Sequence, residues 1–326
     1  MDETAKRLAG LSPVKRQLLE QLLQNKKGQP KAVSGRQWGR AELPVVTIQP
    51  AGSRLPLFCV APAGGSPLCY VELARHLGPQ QPVFGLQSQG LLDGKPPLTR
   101  VSDMAELYIR GMRTVQPAGP YFICGWSFGA VVAFEMARQL ERQGVPVGLL
   151  VQLDGGVLHS DRVQRFKSWS PQFLAAGVTG VSSYLMKIKL PTTYQEVRQL
   201  AQWVGVGLPA SPRDGVQRDL VAQWKYLRRL GGDAANSARL FTLNTVASIN
   251  YEPGSYSGRV TLFRTPQEPS EEDMVLQGAR RFSLGGVDVH PISGNHLSLM
   301  LEEEHLKSVA SRLGDCLIQA QPRDPS

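Results

Sequence analysis

The chain has only four cysteines in 326 residues, and Cys59, Cys69, Cys124 and Cys316 share no close pairing. That spacing excludes a cysteine metal site and a secreted disulfide framework. Cys59 and Cys124 sit in strand-like apolar runs, where cysteine packs as a small apolar residue. No run approaches the ~18 apolar residues that a bilayer-spanning helix needs. The first residues are charged and lack the apolar stretch of a secretory signal, so a reducing cytoplasm is the expected compartment. Acidic residues are scarce, 27 against 36 basic ones, which leaves a net charge of +9. Nine basic and only three acidic residues fall within positions 1–40, so six of the nine charges belong to the N-terminal tail. The remaining body is too mildly basic for a nucleic-acid partner to be expected. Neither an internal repeat nor a low-complexity tract is present.

What is present is an ordinary globular composition, 42% apolar and 19% charged, with length for one elaborated α/β domain. Ser12-Pro13 followed by Val14, Leu18, Leu19, Leu22 and Leu23 predicts a capped amphipathic helix. Residues 1–42 thus read as this helix plus a basic linker, able to pack on the body or to dock on a neighbour. From Pro44 onward, strands are expected at Val45–Ile48, Leu57–Val60, 82–86, 121–124 and 147–153. Helices near 67–77, 102–115 and 128–143 separate them. This alternation predicts a mostly parallel sheet covered by helices on both faces. It stops after Asp154. Residues 158–250 carry helical patterns only, including one over Ala234–Asn250, and are expected to form a lid over the carboxyl ends of the strands. Strands resume at 259–264 and 287–292, with helices near 270–282 and 304–319.

The chemistry centres on Gly125-Trp-Ser-Phe-Gly129, set between a strand pattern and a helix pattern. A serine in so sharp a turn needs almost no side chain two residues to either side, which Gly125 and Gly129 provide. Ser127 is therefore the expected nucleophile. A hydroxyl needs a base, and the base an orienting acid. Among five histidines, His76 and His305 lie in helical patterns and read as surface residues, while His159 opens the insertion and could line the site. His290 falls inside the last strand and could point either way. His296 follows that strand on a loop, in the order Ser, acid, His found in α/β-hydrolases, and is the preferred base. Asp154, ending strand 147–153 before Gly155-Gly156, is the preferred acid. The alternatives after strand 259–264 are Glu268, Glu271, Glu272 and Asp273, which resemble a solvated helix N-terminus. Oxyanion donors are expected at the Phe128 N–H and in the loop Ala61-Pro-Ala-Gly-Gly65, with Ala63 preferred and Gly64 next.

Several segments beyond the serine motif belong to one pattern. They are Ala61–Gly65, Val83-Phe-Gly-Leu-Gln87, Gln116–Gly129, Phe134–Leu140, Leu153-Asp154, Tyr251–Gly258 and Gly294-Asn-His296. Over roughly residues 44–315 the chain resembles the type I thioesterase domains that end non-ribosomal peptide and polyketide synthase assembly lines. The resemblance implies an α/β-hydrolase fold over residues 43–326, with a helical lid at about 158–250, and a triad of Ser127, Asp154 and His296. It implies oxyanion donors at Ala63 and Phe128. No cofactor is expected in the chain itself. Its substrate would arrive as a thioester on the phosphopantetheine arm of an acyl or peptidyl carrier protein, or of a synthase module. Water, a hydroxyl or an amine would release it as an acid or a macrocycle. Leu11–Leu23 resembles helices at synthase module borders, which makes a separately encoded, docking thioesterase the expectation. A free-standing proofreading thioesterase, a general serine esterase and a non-catalytic scaffold are the competing readings.

Overall fold

A computed structural model of the chain describes residues 44–158, 234–266 and 273–322. The expected N-terminal helix and linker lie outside these residues. So do His159, most of the expected lid, Glu268, Glu271 and Glu272.

Seven strands form one sheet: β1 (Val45–Gln49), β2 (Leu57–Val60), β3 (Val83–Leu86), β4 (Tyr121–Trp126), β5 (Val147–Leu153), β6 (Val260–Arg264) and β7 (Val287–Pro291). Their spatial order is β1-β3-β2-β4-β5-β6-β7. All neighbouring pairs are parallel except β1 with β3, so the expected mostly parallel sheet is present. The helices are α1 (Tyr70–Leu77), α2 (Val101–Val115), α3 (Phe128–Arg142), α4 (Ala234–Asn250), α5 (Met274–Phe282), α6 (Ser298–Leu301) and α7 (Glu303–Ala320). Two boundaries differ from expectation for local reasons. The helix expected at 67–77 opens with a 3-10 turn, Pro67–Cys69, where Ser66 Oγ accepts the Leu68 N–H at 3.4 Å. The last helix, expected at 304–319, is preceded by the separate short α6.

The central strands show why the sheet is covered twice. Side chains alternate between faces along a strand. Leu57, Cys59, Phe122 and Cys124 enter one buried cluster together with residues of α1 and α7. Phe58, Val60, Tyr121 and Ile123 enter the opposite cluster, with residues of α2 and α3. Every residue of β2 and β4 is buried, as strands with apolar layers on both sides require. Truncating one such side chain to alanine costs about 3–5 kcal/mol, so these two layers hold the strand ends in place. The loops following β2, β4, β5, β6 and β7 all leave at the carboxyl edge. Ligands of open α/β sheets bind at that edge.

Candidate active site

β4 delivers Ser127 to the sheet edge through a strained turn. Ser127 has φ 57° and ψ −124°, a conformation that L residues rarely adopt. A Cβ on Gly125 would run into the Gly129 carbonyl, and one on Gly129 would run into the Val60 carbonyl. The Ser127 N–H donates to the Leu153 carbonyl at 3.1 Å, and its carbonyl accepts the Ala130 N–H at 3.1 Å. The turn is thus tied to β5 on one side and to α3 on the other.

Asp154 follows β5 with φ 45°, and its N–H donates to the Phe263 carbonyl of β6 at 2.8 Å. Its carboxylate is buried and divided between two sets of donors. Oδ1 accepts the Thr265 N–H at 2.9 Å, the Thr265 hydroxyl at 2.8 Å and the Arg264 guanidinium at 2.5 Å. Oδ2 lies 2.8 Å from His296 Nδ1. Burial opposes ionisation of Asp154, but the His296 contact, the Thr265 N–H and the Arg264 charge outweigh it and hold the carboxyl well below its ordinary range.

His296 completes the cluster, with Nε2 at 3.0 Å from Ser127 Oγ. Its loop is built by local chemistry. Asn295 Oδ1 accepts the N–H groups of Leu297 at 3.0 Å and Ser298 at 2.9 Å, opening α6. Ile292 donates to the Arg264 carbonyl at 2.9 Å, which sets the loop beside β6. Trp126 holds it from below, donating its indole N–H to the His296 carbonyl at 3.1 Å.

The loop expected to supply an oxyanion donor is tied down along its length. Ala61 donates to Leu86, Gly65 to Pro62, and Ser88 to Gly65, at 3.0, 2.8 and 3.0 Å. The Ala63 carbonyl accepts the Asn244 side-chain amide of α4 at 2.8 Å. Tyr70 joins the two donor segments from beneath. Its hydroxyl donates to the Val60 carbonyl at 2.7 Å and accepts the Trp126 N–H at 2.8 Å. Phe128 opens α3, so its N–H is among those that a helix leaves without an internal partner.

Chemically, a neutral imidazole between a hydroxyl and a buried carboxylate can take the hydroxyl proton and be steadied as imidazolium. The preferred residues Ser127, Asp154 and His296 lie together. The alternative acid Asp273 does not touch His296: it accepts the Leu276 N–H at 3.0 Å as the cap of α5 and binds Arg264. His290 stacks on Phe263 at 5.0 Å between centroids. His305 is half-buried rather than a free surface residue. Its side chain is 18% exposed, and Nδ1 lies 3.0 Å from Ser293 Oγ, bracing the His296 loop. Helical periodicity placed it on α7 but could not show what that face meets. Tyr70, Trp126, Asn244, Arg264 and Thr265 went unrecognised in the sequence; only Trp126, beside Ser127, carried a positional signal. Among the described residues, no helix is long and apolar enough to cross a membrane.

A family model described as "Thioesterase domain" matches residues 55–317. The chain is 30% identical over 273 residues to a nonribosomal peptide synthetase of Aspergillus terreus, covering 80% of the chain and 28% of that protein. It is 38% identical over 283 residues to an inactive atromentin synthetase of Paxillus involutus, covering 84% of the chain and again 28% of the relative. A dimodular nonribosomal peptide synthase of Bacillus subtilis is 44% identical over 110 residues, 34% of the chain and 5% of the relative. The chain therefore spans under a third of the length of these curated relatives. Among solved structures, the NocB thioesterase domain in covalent complex with a fluorophosphonate nocardicin G analogue superposes with a TM-score of 0.55 at 26% identity, covering 85% of this chain and 98% of that one. The surfactin thioesterase domain, at 17% identity and a TM-score of 0.52, shares the fold over 84% of this chain and 95% of its own.

Proposed function

Because the chain belongs to the thioesterase domain family, we propose that it releases an acyl or peptidyl chain from a carrier-bound thioester through an ester on Ser127. One observation carries the reading: a single imidazole bridges the Ser127 hydroxyl at 3.0 Å and the Asp154 carboxylate at 2.8 Å. In the tautomer with Nδ1 protonated, His296 donates to Asp154 and accepts from Ser127.

In the first half-reaction, Ser127 Oγ attacks the thioester carbonyl carbon while His296 Nε2 takes its proton. The N–H groups of Ala63 and Phe128, with Gly64 as the next candidate, hold the resulting oxyanion. Collapse breaks the carbon–sulfur bond, and His296 returns the proton to the departing phosphopantetheine thiolate. In the second half, His296 deprotonates water, a hydroxyl or an amine as it attacks the Ser127 ester, and on collapse returns that proton to the departing Ser127 Oγ, freeing an acid or a macrocycle. The relatives are multidomain synthetases, which supports a carrier protein or synthase module as the donor. Residues 1–42 are proposed as the segment that meets it. The three buried free cysteines suit the reducing cytoplasm proposed as its compartment.

Intact-protein mass spectrometry after incubation with acyl thioesters on pantetheine or on a carrier protein tests this. An acyl mass should appear on the wild type and be absent from Ser127→Ala. An adduct that persists in Ser127→Ala would overturn it, and equal or faster turnover of p-nitrophenyl esters would point to a general esterase.

A further inference from the structure

The acid Asp154 has a neighbour that neutral positioning does not require. Thr265 already gives Oδ1 two uncharged donors, at 2.8 and 2.9 Å. Arg264 adds a permanent cation to the same oxygen at 2.5 Å. A cation there competes with the imidazolium that Asp154 must steady, because both draw on one negative charge. Arginine does not shed its proton to relieve this. The far side of the guanidinium, however, carries a second carboxylate. Asp273 takes Nε at 3.0 Å and Nη2 at 3.0 Å, a two-point pairing. The Arg264 side chain is 13% exposed and Asp273 21%, so solvent screens this pair only in part.

We propose that Arg264 and Asp273 form a charge-balanced clamp on Asp154. Arg264 fixes Oδ1, and Asp273 cancels the cation, leaving the negative charge at Oδ2 to His296. Both are positioning residues, and the proposal rests on Asp154 being the acid of the triad. Among the described residues, the charged or titratable groups around His296 are few. Ser127 faces it from the β4–α3 turn, Asp154 from β5, Arg264 from β6, and Asp273 from the start of α5 beyond Arg264. On the other side of the loop, His305 of α7 pairs with Glu302 at 3.4 Å and with Ser293 at 3.0 Å.

The sign follows from the charges. Removing the Asp273 carboxylate leaves Arg264 uncompensated, which disfavours imidazolium, so the base stays neutral to lower pH. Removing the Arg264 charge leaves two carboxylates, which favours imidazolium to higher pH. The test is the rate of Ser127 labelling by a fluorophosphonate between pH 4.5 and 9, with thermal unfolding recorded for each protein. Asp273→Asn, nearly isosteric and still able to cap α5, should move the midpoint of the acid limb down by roughly half a unit or more. Arg264→Gln should move it up by a similar amount, and the double variant should return near the wild type. Midpoint shifts of one sign in both single variants, or slower labelling with the midpoint unmoved, would overturn the clamp. If Arg264→Gln unfolds, Asp273→Asn alone decides by its direction. A wild type that is not labelled at Ser127 would instead sink the triad reading itself.

Discussion

Trp126 and His296 hold one another at two points. The indole N–H donates to the His296 carbonyl at 3.1 Å, and the two rings lie 5.6 Å apart between centroids at 34°. The residue before the proposed nucleophile thereby carries the loop that bears the proposed base, and Tyr70 ties its N–H to the strand that precedes the proposed oxyanion loop. Replacing Trp126 by Phe keeps an aromatic surface under the imidazole but removes the donor. One neutral hydrogen bond is worth about 1 kcal/mol, so kcat/KM on a carrier thioester should fall about fivefold to tenfold. Trp126→Ala, which also removes the ring, should fall further. Steady-state kinetics on the two variants checks the order.

Ser127 occupies a conformation that suits glycine better than any residue with a Cβ. Ser127→Ala and Ser127→Gly should both lose several orders of magnitude in turnover, as loss of a triad member does in serine hydrolases. They should part in stability. Ser127→Gly relieves backbone strain worth on the order of 1 kcal/mol and should melt above Ser127→Ala. Differential scanning calorimetry of the pair would show the gap, and equal melting temperatures would argue that the turn is unstrained.

The strands along the chain were legible because they are short, apolar and bounded by turns; the expected limits of Leu57–Val60 and Val147–Leu153 match the observed ones, whereas the spatial order of the strands came only from the fold. The tight turn at Ser127 could be read because it demands small residues at fixed offsets, and the place of His296 because it follows the last strand. The partners on the far side of each group could not. Arg264 meets Asp154 across 110 residues, and Asn244 meets Ala63 across 181. An arginine ending a strand and an asparagine within a helix have the same local signature whether they face solvent or a neighbour. Only the packed sheet brings them to the site.

Asn244 is fully buried on α4 and donates to the carbonyl of Ala63. Asn244→Leu fills the same space but leaves that carbonyl without its partner, at a cost of about 1–3 kcal/mol. The loop carrying the proposed donor also loses a tie to α4. Turnover should drop roughly tenfold with little change in KM, since the oxyanion exists only after attack. A rise in KM at constant kcat would instead assign Asn244 to substrate binding.

Asp154 also links stability to acid. Its carboxyl is held below the value of about 3.9 expected in an unfolded chain. A depressed native value stabilises the fold in full above the unfolded value, and this contribution is lost as pH falls through the native one. Urea midpoints of wild type and Asp154→Asn should therefore differ most near neutrality, with the gap narrowing below about pH 4. A gap that widens on acidification would mean the carboxyl is protonated in the native protein.

The last test concerns the segment that returns the chain from α4 to β6. Glu135 and Arg138 of α3 are buried together, their side chains 5% and 8% exposed, and pair at 2.5 Å. The Tyr251 hydroxyl donates to the same Glu135 oxygen, and Arg138 Nε donates to the Ser255 carbonyl at 3.3 Å. A Cβ on Gly254 would run into the Arg138 guanidinium, so the chain passes tightly over it. This cluster fastens residues 251–255 onto α3, the helix that follows Ser127. Arg138→Met strands a buried carboxylate and should destabilise by about 3–5 kcal/mol. Adding Glu135→Leu removes the stranded charge, so the double variant should recover part of that loss. Recovery measured by urea unfolding would assign the cost to the unpaired charge. A double variant no more stable than Arg138→Met would assign it to the lost anchorage of the 251–255 segment.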